Sequence, residues 1–261
     1  MVSFNKKTIL VIANILTPII CTVILGILSI GQGDYNEIFT PAGYESLIDP
    51  ISYTFAIWGP IFLLLFVFLF YQLWCLFKKS NKESELKFID QVSIYFIIST
   101  IMTSLWYIFW VYRIIWAATI SMVLYLASLL IGYLRLKINL VERSKIEKIA
   151  IYVPWSMYTA WVTAATIVSI TTFMVSIGFN NPPILPDAYW GVIVLLVALI
   201  VYAGVLLTRN DYVFAGVGIW TLFGIMAERL AASVIVWEIV ITTIIGFIVL
   251  SAAIIYKVIR R

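Results

Sequence analysis

Residues 53–77 read YTFAIWGPIFLLLFVFLFYQLWCLF, and Lys78 and Lys79 follow at once. No charged side chain interrupts the stretch. About 20 apolar residues carry an α-helix across a bilayer, so this run is a membrane-spanning helix with a basic stop at its end. A transmembrane β-strand would alternate apolar and polar residues over about 10 positions. This run is apolar on every side, and that excludes a barrel.

The rest of the chain repeats the pattern. Apolar runs occupy Thr8–Ile30, Tyr53–Phe77, Gln91–Val111, Ile114–Leu134, Ile149–Ile177, Ala188–Leu207, Tyr212–Ala227 and Val234–Tyr256. Of 261 residues, 63% are hydrophobic and only 11% charged. A soluble domain is about half apolar and about a quarter charged, and a disordered chain is poorer still in apolar residues. The expected fold is an all-α polytopic membrane protein, a bundle of about eight transmembrane helices. Lys6 and Lys7 before the first run resemble a signal peptide, but the run is too long for one and no small-residue cleavage site follows. It reads as an uncleaved first helix.

Charge sets the expected orientation. With the N-terminus inside, the inner joints hold Lys6 and Lys7; Lys78, Lys79, Lys82 and Lys87; Arg135, Lys137, Arg143, Lys145 and Lys148; Arg209; and Lys257, Arg260 and Arg261. Only Arg113 and Arg229 of the 17 basic residues fall outside. Basic residues stay on the cytoplasmic side, which points to a multi-pass plasma-membrane protein with both termini cytoplasmic. The weakest part of that topology is the end of the seventh run, where Glu228-Arg229 alone marks a turn. The same clustering explains the net charge of +4 without a nucleic-acid partner. The longest polar joint, Gly31–Ser52, carries Asp34, Glu37, Glu45 and Asp49 with no Lys or Arg. Long loops are often functional.

Several chemistries are excluded. There is no histidine, so imidazole bases and imidazole metal ligands are absent. Cys21 and Cys75 lie far apart in apolar runs and read as inert thiols. No phosphate-binding glycine loop, Cys-x-x-Cys or metal-ligand cluster appears. Neither an enzyme nor a metal cofactor is expected from the residues.

Aromatic residues supply the positive signal. Trp106 and Trp110 are four apart and share one helix face. Trp116 follows across a joint at Arg113. Such rings either anchor at the interface or line an apolar cavity for a flat ligand.

At this point the order of motifs resembles a known family. Trp58, Phe62, Tyr71 and Trp74 are similar to the second helix of the tryptophan-rich sensory protein (TspO/MBR) family, which includes the mitochondrial translocator protein. Gln91, Trp106, Phe109 and Trp110 resemble its third helix, with Thr103 where Asn is usual. Arg113 matches a short basic turn into helix four. Pro154, Trp155, Tyr158 and Trp161 match its fifth helix, with Thr166 or Ser169 in place of an Asn. This resemblance spans about residues 8–177. Thr40-Pro-Ala-Gly-Tyr44 and the extra helices resemble the longer, eight-helix branch. The expected organisation is a five-helix TspO-like bundle at 1–178 with three further helices at 179–261.

The resemblance implies a binder of a hydrophobic, porphyrin- or sterol-like ligand, in a sensory, regulatory or translocator role. The expected partners are membrane lipids, that ligand (a tetrapyrrole or lipid) and a second copy of the chain. The implied ligand residues are Trp58, Phe62, Trp106, Trp110, Tyr158 and Trp161, covered by the Gly31–Ser52 loop. Glu238, placed about one turn inside the last helix, and Arg113 are candidates for a charge site within the membrane, because ionisable groups there are costly. A carrier of a small metabolite or ion, with Glu238 as its coupling residue, is the alternative reading. Asp187 and Asp211 are expected to cap helices. Pro18 and Pro154 are expected to kink them. Asn14, Thr17, Ser99, Thr100, Thr103 and Ser104 are expected to hydrogen-bond between helices.

Overall fold

The computed structural model describes residues 6–31, 44–78, 86–179 and 185–260. Asp34, Glu37, Thr40, Lys79, Lys82 and Pro182 lie outside the described residues. Every regular element among the described residues is helical. Helix α1 runs Lys6–Leu28. A 3₁₀ turn, Ser52–Ile57, leads into α2, Trp58–Phe77. A short helix, Lys87–Val92, precedes α3, Tyr95–Val111. Then follow α4, Ile115–Arg135; α5, Val153–Ser176; α6, Asp187–Arg209; α7, Tyr212–Ala231; and α8, Trp237–Ile259. Among the described residues seven spans are long and apolar enough to cross a membrane, and α3 is a shorter apolar helix of 17 residues. The protein is a polytopic helical membrane protein.

By compactness the chain forms two units. The first comprises Met1–Gly33 and Trp58–Thr159, the second Asp34–Ile57 and Ala160–Arg261. The division falls inside α5.

In the first unit α1 packs on α2 and α3, and α3 packs along α4. The centre is a trio of rings. Phe68 and Phe96 stand 5.6 Å apart, and Trp155 meets them at 6.0 and 6.4 Å. Trp155 lies across Gly132 of α4, where an added Cβ would come within 2.2 Å of its ring. Small residues let membrane helices approach closely, because packing rather than water exclusion holds them together.

The third run is broken where the sequence suggested one helix from Gln91 to Val111. Ser93 turns to φ 48° and separates the short helix from α3. A polar knot holds the break. The Gln91 amide donates to the Arg135 carbonyl at 2.8 Å, and Arg135 Nε donates to the Gln91 carbonyl at 2.9 Å. Arg143 donates to Gln91 Oε1 at 2.8 Å and to the Tyr152 hydroxyl at 3.1 Å. Gln91→Leu removes acceptor and donor together. Net hydrogen bonds are worth about 1 kcal/mol each, so it should cost about 1–2 kcal/mol, read as earlier thermal unfolding in lipid nanodiscs.

Two further expectations are refined. Pro154 does not bend a regular helix in its middle. It follows a π-turn over Lys148–Tyr152, placed where its missing N–H leaves the Ala150 carbonyl without the usual partner. Thr100 and Ser104 donate to carbonyls of their own helix, as Thr17 does to Ala13, whereas Ser99 bonds both its own helix and Tyr158 of α5, and Thr103 bonds Tyr125 of α4. Asn14 does bridge helices, donating to Gln72 at 2.9 Å. Cys21 and Cys75 are free thiols.

In the second unit α6, α7 and α8 pack on one another. Tyr202 of α6 lies over Gly218 of α7 and donates to the Ala160 carbonyl at 2.9 Å. Asp211 caps α7 as expected, accepting from Phe214 N–H at 3.1 Å. Asp187 makes no cap hydrogen bond. It is the first helical residue, and Pro186 holds the cap position. Helix α7 also runs past Ala227 to Ala231. Glu228 and Arg229 therefore sit in its last turns, 3.6 Å apart, and the turn into α8 comes later.

Candidate ligand site

Trp58 opens α2, and its ring position follows from helix spacing. Phe62 lies one turn on, so the two rings stack, with centroids 5.3 Å apart and planes 20° apart. Tyr158 of α5 meets Trp58 edge-on at 6.3 Å. Tyr158 in turn meets Tyr125 of α4, with ring centroids 5.6 Å apart. The Tyr125 hydroxyl donates to the Tyr158 hydroxyl. The Thr103 side chain reaches Tyr125, and the Ser99 side chain reaches Tyr158.

Exposure gives this row a direction. Phe62 is 61% exposed, Trp58 is half-buried, and Tyr158 and Tyr125 are 5% and 1% exposed. A row of rings therefore leads from exposed Phe62 to a buried pair of hydroxyls. Its chemistry is stacking at one end and hydrogen bonding at the other. Bound apolar ligands are held this way, by many ring contacts and a few fixed polar groups.

The other expected residues are placed as follows. Trp106 and Trp110 form their own pair on α3, 5.7 Å apart, and Trp110 is buried. Trp161 falls in the second unit, buried, with Phe55 edge-on at 5.7 Å. Arg113 is exposed at the joint between α3 and α4, at φ 58°. Glu238 is exposed in the first turn of α8, nearer the helix end than expected. Among the described residues no group of three or more His, Cys, Asp or Glu could hold a metal ion.

Tyr125 was not among the sequence candidates. Its buried neighbours on α4 are Ala118, Ser121, Met122, Ser128 and Leu129, mostly small or plain apolar residues. One large hydroxylated ring at helical spacing within a small-residue stripe was the available signal.

These elements define a polytopic helical membrane protein with a cluster of rings and buried hydroxyls in its first unit. The model of the TSPO-like protein family matches residues 8–256, and the chain belongs to that family. The match continues through α6, α7 and α8 nearly to the end of the chain, consistent with the longer, eight-helix branch of the sequence resemblance. No curated protein matches the chain, and no solved structure does.

Proposed function

We propose that this protein binds a flat, hydrophobic ligand of porphyrin or sterol size in the first unit, and that binding serves a sensory or translocator role. The observation that carries the reading is the row Phe62, Trp58, Tyr158, Tyr125, exposed to lipid at one end and hydroxylated at the other. A ligand enters sideways from the bilayer, stacks on Phe62 and Trp58, and places its polar edge at the tyrosine pair. The row contains no carboxylate and the chain no imidazole, which supports binding rather than acid–base catalysis. Trp106 and Trp110 extend the aromatic wall in this proposal. A plasma-membrane location with both termini cytoplasmic accompanies it, supported by the distribution of Lys and Arg.

The test is a titration of the protein in nanodiscs with protoporphyrin IX, read by the porphyrin's own absorbance. Saturable, stoichiometric binding is expected. Trp58→Leu should weaken it about fivefold or more, because a desolvated aromatic pair is worth about 1 kcal/mol beyond its buried area. Tyr158→Phe should weaken it about two- to tenfold, the worth of one net hydrogen bond. Non-saturable uptake, equal in all three proteins, would mean that the porphyrin merely partitions into lipid.

A further inference from the structure

The joint between the spans Ile115–Arg135 and Lys145–Ser176 lies at a bilayer surface, because both spans end there. Its shape is fixed from within the first unit. The Tyr152 hydroxyl donates to the Val141 carbonyl at 2.9 Å and accepts from Arg143 Nε at 3.1 Å, and the Arg143 guanidinium lies over the Tyr152 ring at 5.4 Å. Leu136 and Ile138 are fully buried. Lys137 and Asn139 beside them are exposed and held at φ 51° and 57°. Side chains other than glycine rarely adopt that conformation, so packing and hydrogen bonds, rather than local preference, hold the turn.

Charge and apolar surface are interleaved along this joint. Arg135, Lys137 and Lys145 are exposed, and none of them forms a salt bridge among the described residues. Arg135 is nonetheless fixed in place. It donates to the Asp90 and Gln91 carbonyls, each at 2.9 Å, and lies over the Tyr95 ring at 5.5 Å. The two acids of the joint are already matched, Glu147 to Arg143 at 3.2 Å and Glu142 to Lys148 at 3.4 Å. Leu134, Leu140, Val141, Ile146 and Ile149 are exposed among the cations, Ile146 and Ile149 by 63% and 60%. A retention signal for the cytoplasmic side needs the charges, but neither their fixed positions nor their aliphatic neighbours.

We propose that this joint is a binding site for an anionic phospholipid, with the headgroup phosphate on Arg135, Lys137 and Lys145 and the acyl chains along Leu140, Ile146 and Ile149. A guanidinium held in one geometry matches two phosphate oxygens at once, and the lysines add point charges. A soluble phosphate would use the cations and leave the aliphatic side chains in water. A lipid covers both, which makes the lipid the occupant. The site shares no residue with the row from Phe62 to Tyr125, so it stands apart from the ligand reading above.

The experiment places bimane on Leu140→Cys in a Cys21→Ala/Cys75→Ala chain, reconstituted in phosphatidylcholine vesicles. A small fraction of the lipid is phosphatidylglycerol or phosphatidylcholine with a nitroxide near the glycerol end of one acyl chain, which quenches bimane on contact. At equal mole fraction the phosphatidylglycerol should quench at least about tenfold more effectively, since each basic residue near an anionic surface is worth about fivefold. Lys137→Asn/Lys145→Gln should remove most of that preference, and high salt should shrink it. Both side chains are exposed and asparagine tolerates the left-handed turn, so this variant keeps the fold. Lys137→Arg/Lys145→Arg should retain the preference. Equal quenching by the two lipids, or an unchanged preference in the neutral double variant, would overturn the proposal. So would displacement by glycerol 3-phosphate as readily as by unlabelled phosphatidylglycerol, which would make the occupant a soluble phosphate.

Discussion

Gly132→Ala destabilises the protein by roughly 3 kcal/mol or more, and adding Trp155→Phe restores part of the loss. The new methyl would lie 2.2 Å from one Trp155 ring carbon and 2.4 Å from the next. Overpacking a core costs about 1–3 kcal/mol where neighbours can shift. Here they are boxed in. Trp155 is 1% exposed, and Phe68 and Phe96 close around it. Trp155→Phe alone also loses packing, since dispersion contacts hold membrane helices together. The cycle of single and double variants should therefore show a favourable coupling of at least about 1 kcal/mol. Thermal or SDS-induced unfolding in lipid, followed by circular dichroism, measures all four proteins. Additive losses would show that Gly132 and Trp155 do not share one contact.

Gly218→Ala is the second large effect, and a neighbouring glycine is its control. A Cβ at 218 would fall 2.6 Å from Tyr202 Cγ and 2.7 Å from Cδ1. The Tyr202 ring cannot swing aside freely, because its hydroxyl is held by the Ala160 carbonyl at 2.9 Å. The expected loss is roughly 2–3 kcal/mol, from steric displacement and a strained hydrogen bond. Gly216, two residues earlier on the same helix, is exposed and has nothing within 4 Å of its added Cβ. Gly216→Ala should be neutral or stabilising by up to about 1 kcal/mol, the helix propensity difference. Equal losses at both positions would locate the effect in α7 itself rather than in its contact with α6.

The seven described spans and the shorter apolar α3 were legible because lipid demands apolar length, and that demand is written directly in the sequence. What failed was whatever depended on a partner distant in sequence. The break at Ser93 has no Gly or Pro to announce it. It is stabilised by Gln91 reaching Arg135 and Arg143 from other elements. The apolar run ends at Ala227, where Glu228-Arg229 reads as a turn marker, but the helix runs on to Ala231. The two pair with each other, and Arg229 is mostly buried along its length, so the charge ends no helix. Trp58 and Phe62 are one helical turn apart and stack, and Tyr158, which the family resemblance put beside them in the candidate set, meets Trp58 edge-on. Tyr125 escaped notice because its run reads as plain apolar, and only packing brings its hydroxyl to Tyr158. Asp49 was legible as one acid of a polar loop, but its acceptance of the Ser46 N–H and hydroxyl depends on a turn that the loop composition did not define.

The most direct test of the ligand reading is photo-crosslinking with a diazirine-bearing protoporphyrin in nanodiscs, followed by peptide mapping. The expected result is labelling of the peptides that carry Trp58, Phe62 and Tyr158, suppressed by excess unmodified protoporphyrin IX and lost in Trp58→Leu. Labelling spread over the lipid-facing side chains of α1, such as Leu16, Ile19 and Val23, and unaffected by competitor, would contradict it.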